Sequence, residues 1–539
     1  MCPRGKEDTT DDVVMAYALN AEAFVEDLPS SIDGLKKRSD WCHWKSAISS
    51  ELESLQKNDT WELVPKPRGK HLVNCKWVFK VKRDEDGNVN RYKARLVAKG
   101  YSQRKGFDYD ETYAPVAKIT TVRTLLAVAN KKGYHIHQMD VRTAFLNGIL
   151  KEQIYMRQPE GFESANPDLV CRLKKSLYGL KQAPRSWNDQ FHSFVTELGF
   201  KRSNMDTCLY QLRSKEYVVY LLLYVDDIII VSNRMDLVAT FKQQLSKKFE
   251  MSDMGELKLF LGLKVDRELS KGTMKISQPK YIADLLQRFG MADCKPVATP
   301  LEPNLKLDNK TSQEVTKKPY RELIGCLTYL ALASRPDISA AVSFFSRFQS
   351  APVEAHWCHL KRILRYLKGT IHLGLVYNQY GEEQPLVGYA DADWGNDQND
   401  RRSISGNVFQ VYGATVSWMT RKQATVSLSS TEAEYISLSH AACEAIWLKN
   451  LLEELGVRFD HPIPLYEDNQ SCIRIAEEPR DHKRMKHIDI RYNFIREKIQ
   501  DGIFQIIYKP TSEQVADIFT KGLARGPFEQ LRDKLMLFD

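Results

Sequence analysis

A pair of adjacent aspartates between two apolar runs constrains the fold more than any other stretch of the chain. The runs cover residues 217–224 and 228–231, and both consist entirely of Val, Ile, Leu and Tyr. Because β-branched and aromatic residues favour strands, the pattern predicts two strands joined by a tight two-residue turn at Asp226 and Asp227. The stretch is too short, and too polar at its centre, to cross a bilayer.

The two carboxylates admit two interpretations. Asp is common in solvated hairpin turns, and on that interpretation Asp226 and Asp227 have no further role. Alternatively, two acids held at a rigid strand end form part of a divalent-metal site, which requires a third carboxylate from another element. Asp140 is the obvious candidate because it lies at the end of the apolar strand predicted over 134–141. A helix N-cap is the competing interpretation of Asp140.

The composition narrows the class of protein. A chain of 539 residues is long enough for roughly three or four domains of ordinary size. Its 78 Lys and Arg against 69 Asp and Glu give a net charge of +9, which suits a polyanionic partner without proving one. The 10 Cys include no C-x-x-C pair, and the sequence shows neither a signal peptide nor a membrane-spanning run. We therefore expect a soluble intracellular protein.

A basic, aromatic hairpin is predicted ahead of the first of these acids. Its strands cover 75–82 and 92–100, with a strong turn signal at 84–88 between them. The basic side chains are either a solvated face or, interleaved with aromatic rings, contacts for phosphate groups. The basic residues on which that second interpretation depends include Lys80, Lys82 and Arg95.

Four further acids stand where a predicted strand ends or within a predicted helix, all in the last third of the chain. Any one of them would be unremarkable, but together they indicate a second two-metal site. The four acids are Asp391, Glu434, Asp468 and Asp517. Asp393 is an alternative to Asp391, and Glu432 is an alternative to Glu434. Glu434 also fits a helix capping box that begins at Thr431.

Three motifs resemble the palm motifs of reverse transcriptases, specifically those of copia-type LTR retrotransposons. They are QMDVRTAFLNG at 138–148, SLYGLKQAPRSW at 176–187 and YVDD at 224–227, in the order and spacing of that family. The resemblance implies a right-hand polymerase with two Mg²⁺ ions in its active site, for which Mn²⁺ is a substitute. The acids it assigns to these ions are Asp140, Asp226 and Asp227.

The resemblance also assigns residues around the nucleotide and the primer. Phe145 resembles the aromatic gate that excludes ribonucleotides, and Tyr178 begins a loop like the one under the incoming nucleotide. The basic hairpin resembles the fingers, which grip triphosphate and template, and 260–262 resembles the primer grip. The residues implied to contact nucleotide or primer are Phe145, Tyr178, Gly179, Lys181, Lys80, Lys82, Arg95, Phe260 and Gly262.

The second acid set resembles the D-E-D-D set of ribonuclease H domains. That likeness implies a second pair of Mg²⁺ ions, held by Asp391, Glu434, Asp468 and Asp517, and hydrolysis of the RNA strand of an RNA–DNA hybrid. Many ribonucleases H carry a His in the loop before the last acid. This chain has Lys-Pro-Thr at 509–511 instead, so no residue is assigned to product release or proton shuttling.

The predicted architecture is a multidomain α/β and α+β protein. It combines a right-hand polymerase of fingers, palm and thumb with a helical connection and a ribonuclease H-like α/β domain. The predicted divisions are a disordered or flexible leader at 1–40, a reverse transcriptase at 41–300 with its core at 61–300, a linker and helical connection at 301–384, the ribonuclease H-like domain at 385–525 and a C-terminal tail at 526–539.

The implied function is RNA-directed DNA polymerase with ribonuclease H activity. The implied partners are an RNA template, a DNA primer, the RNA–DNA hybrid and deoxynucleoside triphosphates, with no membrane and with a dimer or other retrotransposon proteins as further partners. A cytoplasmic location in virus-like particles is expected, with the nucleus as the alternative. Degenerate copies of such elements lose activity, so the competing hypothesis is a catalytically inactive nucleic-acid-binding protein.

Overall fold

The computed structural model describes residue 29 and residues 31–83, 89–307, 314–397, 399–477 and 489–539. The fold is mixed α/β, as the sequence predicts. The predicted turn at 84–88 and most of the predicted leader lie outside the described residues. One stretch of that leader is folded and not disordered as predicted: Ile32–Lys36 form a short helix that buries two apolar side chains.

Strands and helices are numbered along the chain. The strands are β1 Trp61–Pro65, β2 Leu72–Val73, β3 Cys75–Arg83, β4 Val89–Ala98, β5 His135–Val141, β6 Ile149–Met156, β7 Leu169–Lys175, β8 Lys201–Arg202, β9 Leu209–Arg213, β10 Val218–Tyr224, β11 Asp227–Ser232, β12 Met251–Glu256, β13 Leu259–Phe260, β14 Leu263–Glu268, β15 Thr273–Ser277, β16 Gly374–Asn378, β17 Val387–Asp393, β18 Ile404–Val411, β19 Ala414–Lys422, β20 Ile463–Glu467, β21 Phe504–Tyr508 and β22 Leu537–Phe538. The α-helices are α1 Ile32–Lys36, α2 Trp41–Lys57, α3 Ile119–Lys131, α4 Ala183–Glu197, α5 Met235–Lys248, α6 Pro279–Arg288, α7 Tyr320–Ala333, α8 Ser339–Ser346, α9 Glu354–Lys368, α10 Ser430–Glu454, α11 Gln470–Glu477, α12 Asp489–Gln500 and α13 Arg525–Lys534.

The chain divides into two compact units. In the described residues, the first unit is built from Glu22–Ala117 and Ile136–Glu256, and the second from Lys118–His135 and Leu257–Asp539. Helix α3 therefore belongs with the C-terminal half of the chain, a grouping that no pattern in the sequence predicts.

The first unit carries two larger sheets and a separate hairpin. One sheet has the strand order β1-β7-β6-β2, the other has the order β12-β5-β11-β10-β9-β8, and β3 pairs with β4 alone. Strands β10 and β11 consist almost entirely of buried apolar residues, and both α4 and α5 pack against the face that carries Leu221, Leu223 and Ile230. This burial fixes the hairpin that carries the aspartate pair.

The predicted two-residue turn exists, but its register differs from the prediction. Tyr224 pairs with Asp227, so the central turn residues are Val225 and Asp226, and Asp227 is the first residue of β11. Val225 has φ 56°, in the left-handed region. Sequence patterns place a turn by its Asp, Asn and Gly residues, and they gave no reason to put a β-branched residue there.

The second unit contains a five-stranded sheet with mixed pairing. Its order is β19-β18-β17-β20-β21, in which β19, β18 and β17 pair antiparallel while β17, β20 and β21 pair parallel. Strands β17, β18 and β19 thus form an antiparallel meander. The long helix α10 packs on this sheet, mostly against β17 and β18.

A second sheet in this unit has the order β13-β14-β15-β16-β22. Its last strand lies in the predicted C-terminal tail, which the structure shows as helix α13 followed by β22 paired to β16. The tail is therefore part of the fold and not an appendage.

A buried polar cluster ties the helices of the second unit together. The fully buried Arg335 guanidinium donates to both carboxylate oxygens of Asp337, at 2.9 and 2.7 Å, and to the backbone oxygen of Thr370. The hydroxyl of Tyr366 donates to Asp337 at 2.6 Å. The cluster satisfies a buried ion pair with neighbouring donors and acceptors, as burial of charge requires.

Across the described residues, no helix combines the length and the apolarity needed to span a membrane.

Candidate active sites

The second unit brings together the acids of the predicted nuclease site. Asp391 lies near the end of β17, and Asp468 directly follows β20. These strands pair in parallel at Tyr389 and Tyr466, so the two aspartates, each two residues further on, emerge side by side at the same edge of the sheet. Glu434 reaches the same place from the first turns of α10.

The three carboxylates form a compact set of oxygen ligands. One ligand atom each from Asp391, Glu434 and Asp468 can be chosen so that all lie within 4.8 Å of one another, and no other such acid, His or Cys group is found in the described part of the chain. Asp391 and Glu434 are buried, whereas Asp468 is half-buried. The hydroxyl of Thr511 donates to the carboxylate of Asp468 at 2.5 Å, which helps to orient it.

Asp517 completes the set that the sequence predicts. It lies in a 3-10 helix, Val515–Phe519, where the sequence predicted an ordinary helix. The carboxylate of Asp517 lies within electrostatic reach of Asp391 and forms an ion pair of 3.0 Å with Lys521. Thr520 donates its hydroxyl to the carboxylate of Asp391 from the same segment. All four predicted acids therefore meet at one site.

Burial and mutual repulsion dominate the electrostatics of this site. Burial, and then the charge of Asp391, raise the pKa of Asp517 to about 8. The pKa of Glu434 is raised well above its usual range by burial and then by the charge of Glu467. Burial also raises the pKa of Asp391, against the opposing effect of Lys521. A site with this much uncompensated negative charge favours cations.

The structure separates the competing acids. The carboxylate of Glu432 accepts from the backbone N–H of Leu428 at 2.8 Å, so Glu432 caps α10. The N-cap is Ser429 and not the predicted Thr431, because the side chain of Ser429 accepts from the N–H of Glu432. Asp393 takes a hydrogen bond from the side chain of Asn396. Glu434 and Asp391 belong to the cluster, while Glu432 and Asp393 have other partners.

Sequence reasoning missed a fifth carboxylate at this site. Glu467 is fully buried, and burial followed by the charge of Asp468 raises its pKa well above the usual range. The available signal was the strand alternation, since Ile463, Leu465 and Glu467 share one face of β20. A carboxylate in phase with two core residues predicts a buried acid.

The first unit places the predicted polymerase acids on neighbouring strands. Asp140 lies on β5 and Asp227 begins β11, and these strands are adjacent in the sheet. The N–H of Val141 donates to the backbone oxygen of Asp226 at 2.8 Å, which draws the turn to the end of β5. The side-chain amide of Gln138 donates to the carboxylate of Asp227 at 2.9 Å.

The charge around Asp226 is set by groups from two directions. Burial raises its pKa, and Arg95 opposes that shift while Asp140 adds to it. The structure thus brings Asp226, Asp140 and Arg95 within electrostatic reach of one another, as expected if the basic hairpin faces the acids. The three polymerase acids do not form a set as compact as the nuclease acids.

An aromatic and cationic stack lies next to these acids. The rings of Phe145 and Tyr178 meet edge to face with centroids 5.0 Å apart. The guanidinium of Arg95 lies over the ring of Tyr178, 4.6 Å from the ring centroid. Burial raises the pKa of Tyr178 to about 12. Three residues that the sequence assigns to the nucleotide site therefore contact one another directly.

The loop at 178–181 is pressed against strand β4. Gly179 has φ 90°, and a Cβ added there would come within 2.1 Å of the backbone oxygen of Ala98. The N–H of Ala98 donates to the backbone oxygen of Tyr178 at 2.7 Å. Lys181 directs its ammonium group to the hydroxyl of Tyr109 at 3.1 Å. Only glycine fits the close approach at 179.

The remaining predicted residues lie in different surroundings. Lys80 is exposed on β3, while the side chain of Lys82 lies outside the described residues. Phe260 is a core residue of the second unit, with 1% of its surface exposed. Gly262 follows it with φ 72°, and the hydroxyl of Tyr329 donates to the backbone oxygen between them. Their contacts with nucleotide and primer stay predictions.

The donor chemistry of the nuclease cluster fits hard divalent cations. All its ligands are carboxylate oxygens, which Mg²⁺ and Mn²⁺ prefer. Among the described residues, Glu434 Oε2 and Asp517 Oδ1 are buried without a hydrogen-bond partner. Buried polar atoms of this kind are normally satisfied, so these two oxygens fit as ligands of a cation.

Comparison with known proteins agrees with the motifs. A family model described as "Reverse transcriptase (RNA-dependent DNA polymerase)" matches residues 58–303. The chain is 45% identical over 496 residues to the retrovirus-related Pol polyprotein from transposon TNT 1-94 of Nicotiana tabacum, covering 90% of this chain and 37% of that protein. It is 42% identical over 523 residues to the corresponding polyprotein from transposon RE1 of Arabidopsis thaliana, covering 96% of this chain and 35% of that protein.

A shorter relative is matched over its whole length. The putative transposon Ty5-1 protein of Saccharomyces cerevisiae is 36% identical over 309 residues, which cover 57% of this chain and 100% of that protein. The chain spans about a third of the length of the plant Pol polyproteins, at 37%, 35% and 34%.

Proposed function

The chain belongs to the family of copia-type retrotransposon Pol polyproteins, with a reverse transcriptase domain, and from that premise we propose that it is an RNA-directed DNA polymerase with ribonuclease H activity. The first unit would copy RNA into DNA at Asp140, Asp226 and Asp227, and the second unit would cleave the RNA of the resulting hybrid. The observation that carries the proposal is the cluster of Asp391, Glu434 and Asp468 within 4.8 Å.

The nuclease residues divide into ligands and residues that orient the ligands. Asp391, Glu434, Asp468 and Asp517 would hold two divalent cations. When bound, these cations supply an activated water and stabilise the leaving oxygen, which is the usual chemistry of two-metal phosphodiester cleavage. Thr520 and Thr511 hold the carboxylates of Asp391 and Asp468 in place by hydrogen bonds. Such second-sphere contacts fix the direction of a metal ligand.

In the first unit the same logic applies to the polymerase acids. Asp140 and Asp226 lie close enough for each charge to affect the other, and Arg95 moderates their repulsion. A guanidinium at that place also suits the phosphates of an incoming nucleotide. The ring of Phe145, packed on Tyr178, would limit the room beside the sugar. A fingers, palm and thumb arrangement accompanies this proposal.

One paired assay tests both activities on the full chain. With Mg²⁺, the protein should extend a DNA primer on an RNA template and cleave RNA in a hybrid. Asp226→Asn should reduce extension to below about 1% and spare cleavage, because even second-sphere changes at metal sites cost about 10- to 100-fold. Asp391→Asn should do the reverse. Asp236→Asn, which alters an exposed aspartate paired with Arg234, is the matched control and should change neither.

The outcomes separate the competing functions. Hybrid binding without incorporation or cleavage under Mg²⁺ or Mn²⁺ would refute the enzyme and establish a nucleic-acid-binding protein. Cleavage without synthesis would establish a ribonuclease H with an inactive palm. One observation favours that second candidate: the nuclease acids form a compact set of ligands, whereas the three polymerase acids do not.

Partners and location follow from the same proposal. An RNA template, a DNA primer, deoxynucleoside triphosphates and the hybrid are the substrates that the two reactions require. A dimer, association with other retrotransposon proteins, and a cytoplasmic location in virus-like particles are proposed on the family relationship alone. Sedimentation of the protein with particles from a cytoplasmic extract would test the location, and a nuclear signal would favour the alternative.

A further inference from the structure

Lys181 is a half-buried cation that is held in place by a neutral partner. Its ammonium donates to the hydroxyl oxygen of Tyr109 at 3.1 Å and lies 4.7 Å from the centroid of the same ring. Within the described part of the chain, no carboxylate lies within ion-pair distance of this ammonium. A hydroxyl can orient a cation without cancelling its charge, so the positive charge of Lys181 is available to attract an anion.

The backbone of Lys181 is fixed as well. Its N–H donates to Gln103 Oε1 at 2.8 Å, and Gln103 Nε2 donates to Gln182 Oε1 at 3.0 Å. Gln182 Nε2 donates in turn to the backbone oxygen of Asp108 at 2.9 Å. Gln103 and Gln182 are 5% and 2% exposed, so water does not compete for these bonds. Residues 103–109, which we call the clasp loop, therefore hold Lys181 at both its backbone and its ammonium group.

Internal bonds keep the clasp loop in one shape. The carboxylate of Asp108 accepts from the backbone N–H of Arg104 at 2.8 Å and lies 3.2 Å from Nδ1 of His71. The backbone N–H of Gly106 donates to the backbone oxygen of Tyr109 at 2.8 Å. Because these bonds cross the loop, the hydroxyl of Tyr109 is held in a defined place, from which it can direct a flexible side chain.

The direction of Lys181 matters because of its neighbours. It lies three residues beyond Tyr178, whose ring contacts Phe145 and the guanidinium of Arg95. Unlike the planar head group of arginine, the lysine ammonium ends a flexible chain that loses conformational freedom when it binds a ligand. A partner that restricts this chain before the ligand arrives lowers the cost of binding.

We propose that Tyr109 is a positioning residue that orients the ammonium of Lys181 toward the triphosphate of an incoming nucleotide. Tyr109 acts through Lys181 and does not touch the nucleotide. The inference rests on the proposed polymerase function, since it concerns the nucleotide substrate of that reaction. The competing explanation is that Tyr109 only supports the packing of the clasp loop.

The test measures the Kd for dTTP of the full chain bound to an RNA template and a DNA primer that ends in a dideoxynucleotide. All proteins carry Asp391→Asn, which prevents cleavage of the template. Tyr109→Phe keeps the ring and removes the hydroxyl, so it should raise the Kd by about 2- to 10-fold, the factor for one hydrogen bond. Tyr113→Phe is the matched control, because Tyr113 lies in the same segment and is 69% exposed, and it should leave the Kd unchanged.

A double-mutant cycle separates positioning from packing. Lys181→Gln should raise the Kd more than Tyr109→Phe does, because it removes the charge that meets the triphosphate. Adding Tyr109→Phe to Lys181→Gln should cause no further rise, because the effect of the hydroxyl passes through the ammonium. With an ordinary primer, Tyr109→Phe should raise the KM for dTTP and keep kcat within about 2-fold, as expected when only binding is weakened.

Three results would overturn the proposal. The first is an unchanged Kd in Tyr109→Phe, and the second is an equal rise with and without the ammonium of Lys181, which would establish a packing role. The third is the absence of measurable dTTP binding by the parent complex. Failure of the polymerase proposal is separate, since it appears as absent extension of an ordinary primer by the unaltered chain, and the comparison of Kd values still decides the role of Tyr109.

Discussion

Gly179→Ala should disrupt the contact between the nucleotide-site loop and strand β4, and the structure gives the size of the effect. At Gly179 φ is 90°, and an added Cβ would lie 2.1 Å from the backbone oxygen of Ala98 and 2.6 Å from Val97 Cγ1. The strand cannot yield easily, because it is paired with β3 along its length. The loop must therefore move away from β4.

The expected loss of stability has three parts. A left-handed conformation costs an L-residue about 1–2 kcal/mol. Forcing extra atoms into a packed contact costs about 1–3 kcal/mol. Separation of the loop also breaks the bond from the Ala98 N–H to the Tyr178 carbonyl, which contributes about 1 kcal/mol. We expect the free energy of unfolding of the first unit to fall by about 3–6 kcal/mol.

A second glycine in the same unit isolates the close approach. Gly199 also has φ 90°, but a Cβ added there would meet only Leu212 Cδ1, at 3.7 Å. Gly199→Ala should therefore cost about 1–2 kcal/mol, the conformational part alone. Urea unfolding of both variants measures the difference. Equal losses in the two variants would refute the argument from close approach.

Activity gives an independent check on the same variant. Displacement of the loop would move Tyr178 away from Phe145 and Arg95, so Gly179→Ala should reduce primer extension strongly. Hybrid cleavage should stay within about 2-fold of the unaltered chain, because the nuclease acids lie in the other unit. Gly199→Ala should keep both activities. Loss of cleavage in Gly179→Ala would indicate general misfolding.

Three other predictions concern the second unit. Asp337→Asn should lower its free energy of unfolding by about 3–5 kcal/mol in a urea titration, because Arg335 would stay buried without its counter-charge; an effect below about 1 kcal/mol would contradict this. Glu434→Gln should abolish hybrid cleavage. Glu432→Gln should keep cleavage and lower the free energy of unfolding by only about 0.5–2 kcal/mol, because it weakens a helix cap. The cleavage assay distinguishes the two variants. Burial raises the pKa of Asp517 to about 8, so the metal-free folded state holds a proton that the unfolded chain loses near pH 4. Metal-free stability should therefore fall as the pH rises from about 4 to 8, and Asp517→Asn should flatten that slope in thermal melts.

Local patterns sufficed for the elements that carry the acids. The apolar runs around the aspartate pair predicted β10 and β11, because strands that are buried on both faces consist almost entirely of apolar residues. The register of the turn was wrong by one residue. Val225 occupies a turn position that its side chain disfavours, and no local rule predicts a residue held against its preference.

The assembly of the nuclease site depended on sheet order, which local patterns do not contain. Asp391 and Asp468 are 77 positions apart in the sequence, and they meet because β17 and β20 pair in parallel. The sequence resemblance supplied that grouping, and periodicity did not. Glu467 was missed for the opposite reason: the resemblance has no role for it, while the strand alternation placed it in the core.

The strained turn at Val225 is explained by the direction in which Asp226 must point. A β-branched residue with φ 56° costs about 1–3 kcal/mol, and such strain persists only where the surroundings enforce it. Three contacts do so: the pairing of Tyr224 with Asp227, the bond from the Val141 N–H to the Asp226 carbonyl, and the bond of 2.6 Å from the Trp187 indole N–H to the Val225 carbonyl. The second contact fixes the turn to β5, the strand that carries Asp140, and the third fixes it to helix α4. These contacts keep Asp226 at the end of β5 and within electrostatic reach of Asp140, and the strain at Val225 is the cost of that placement.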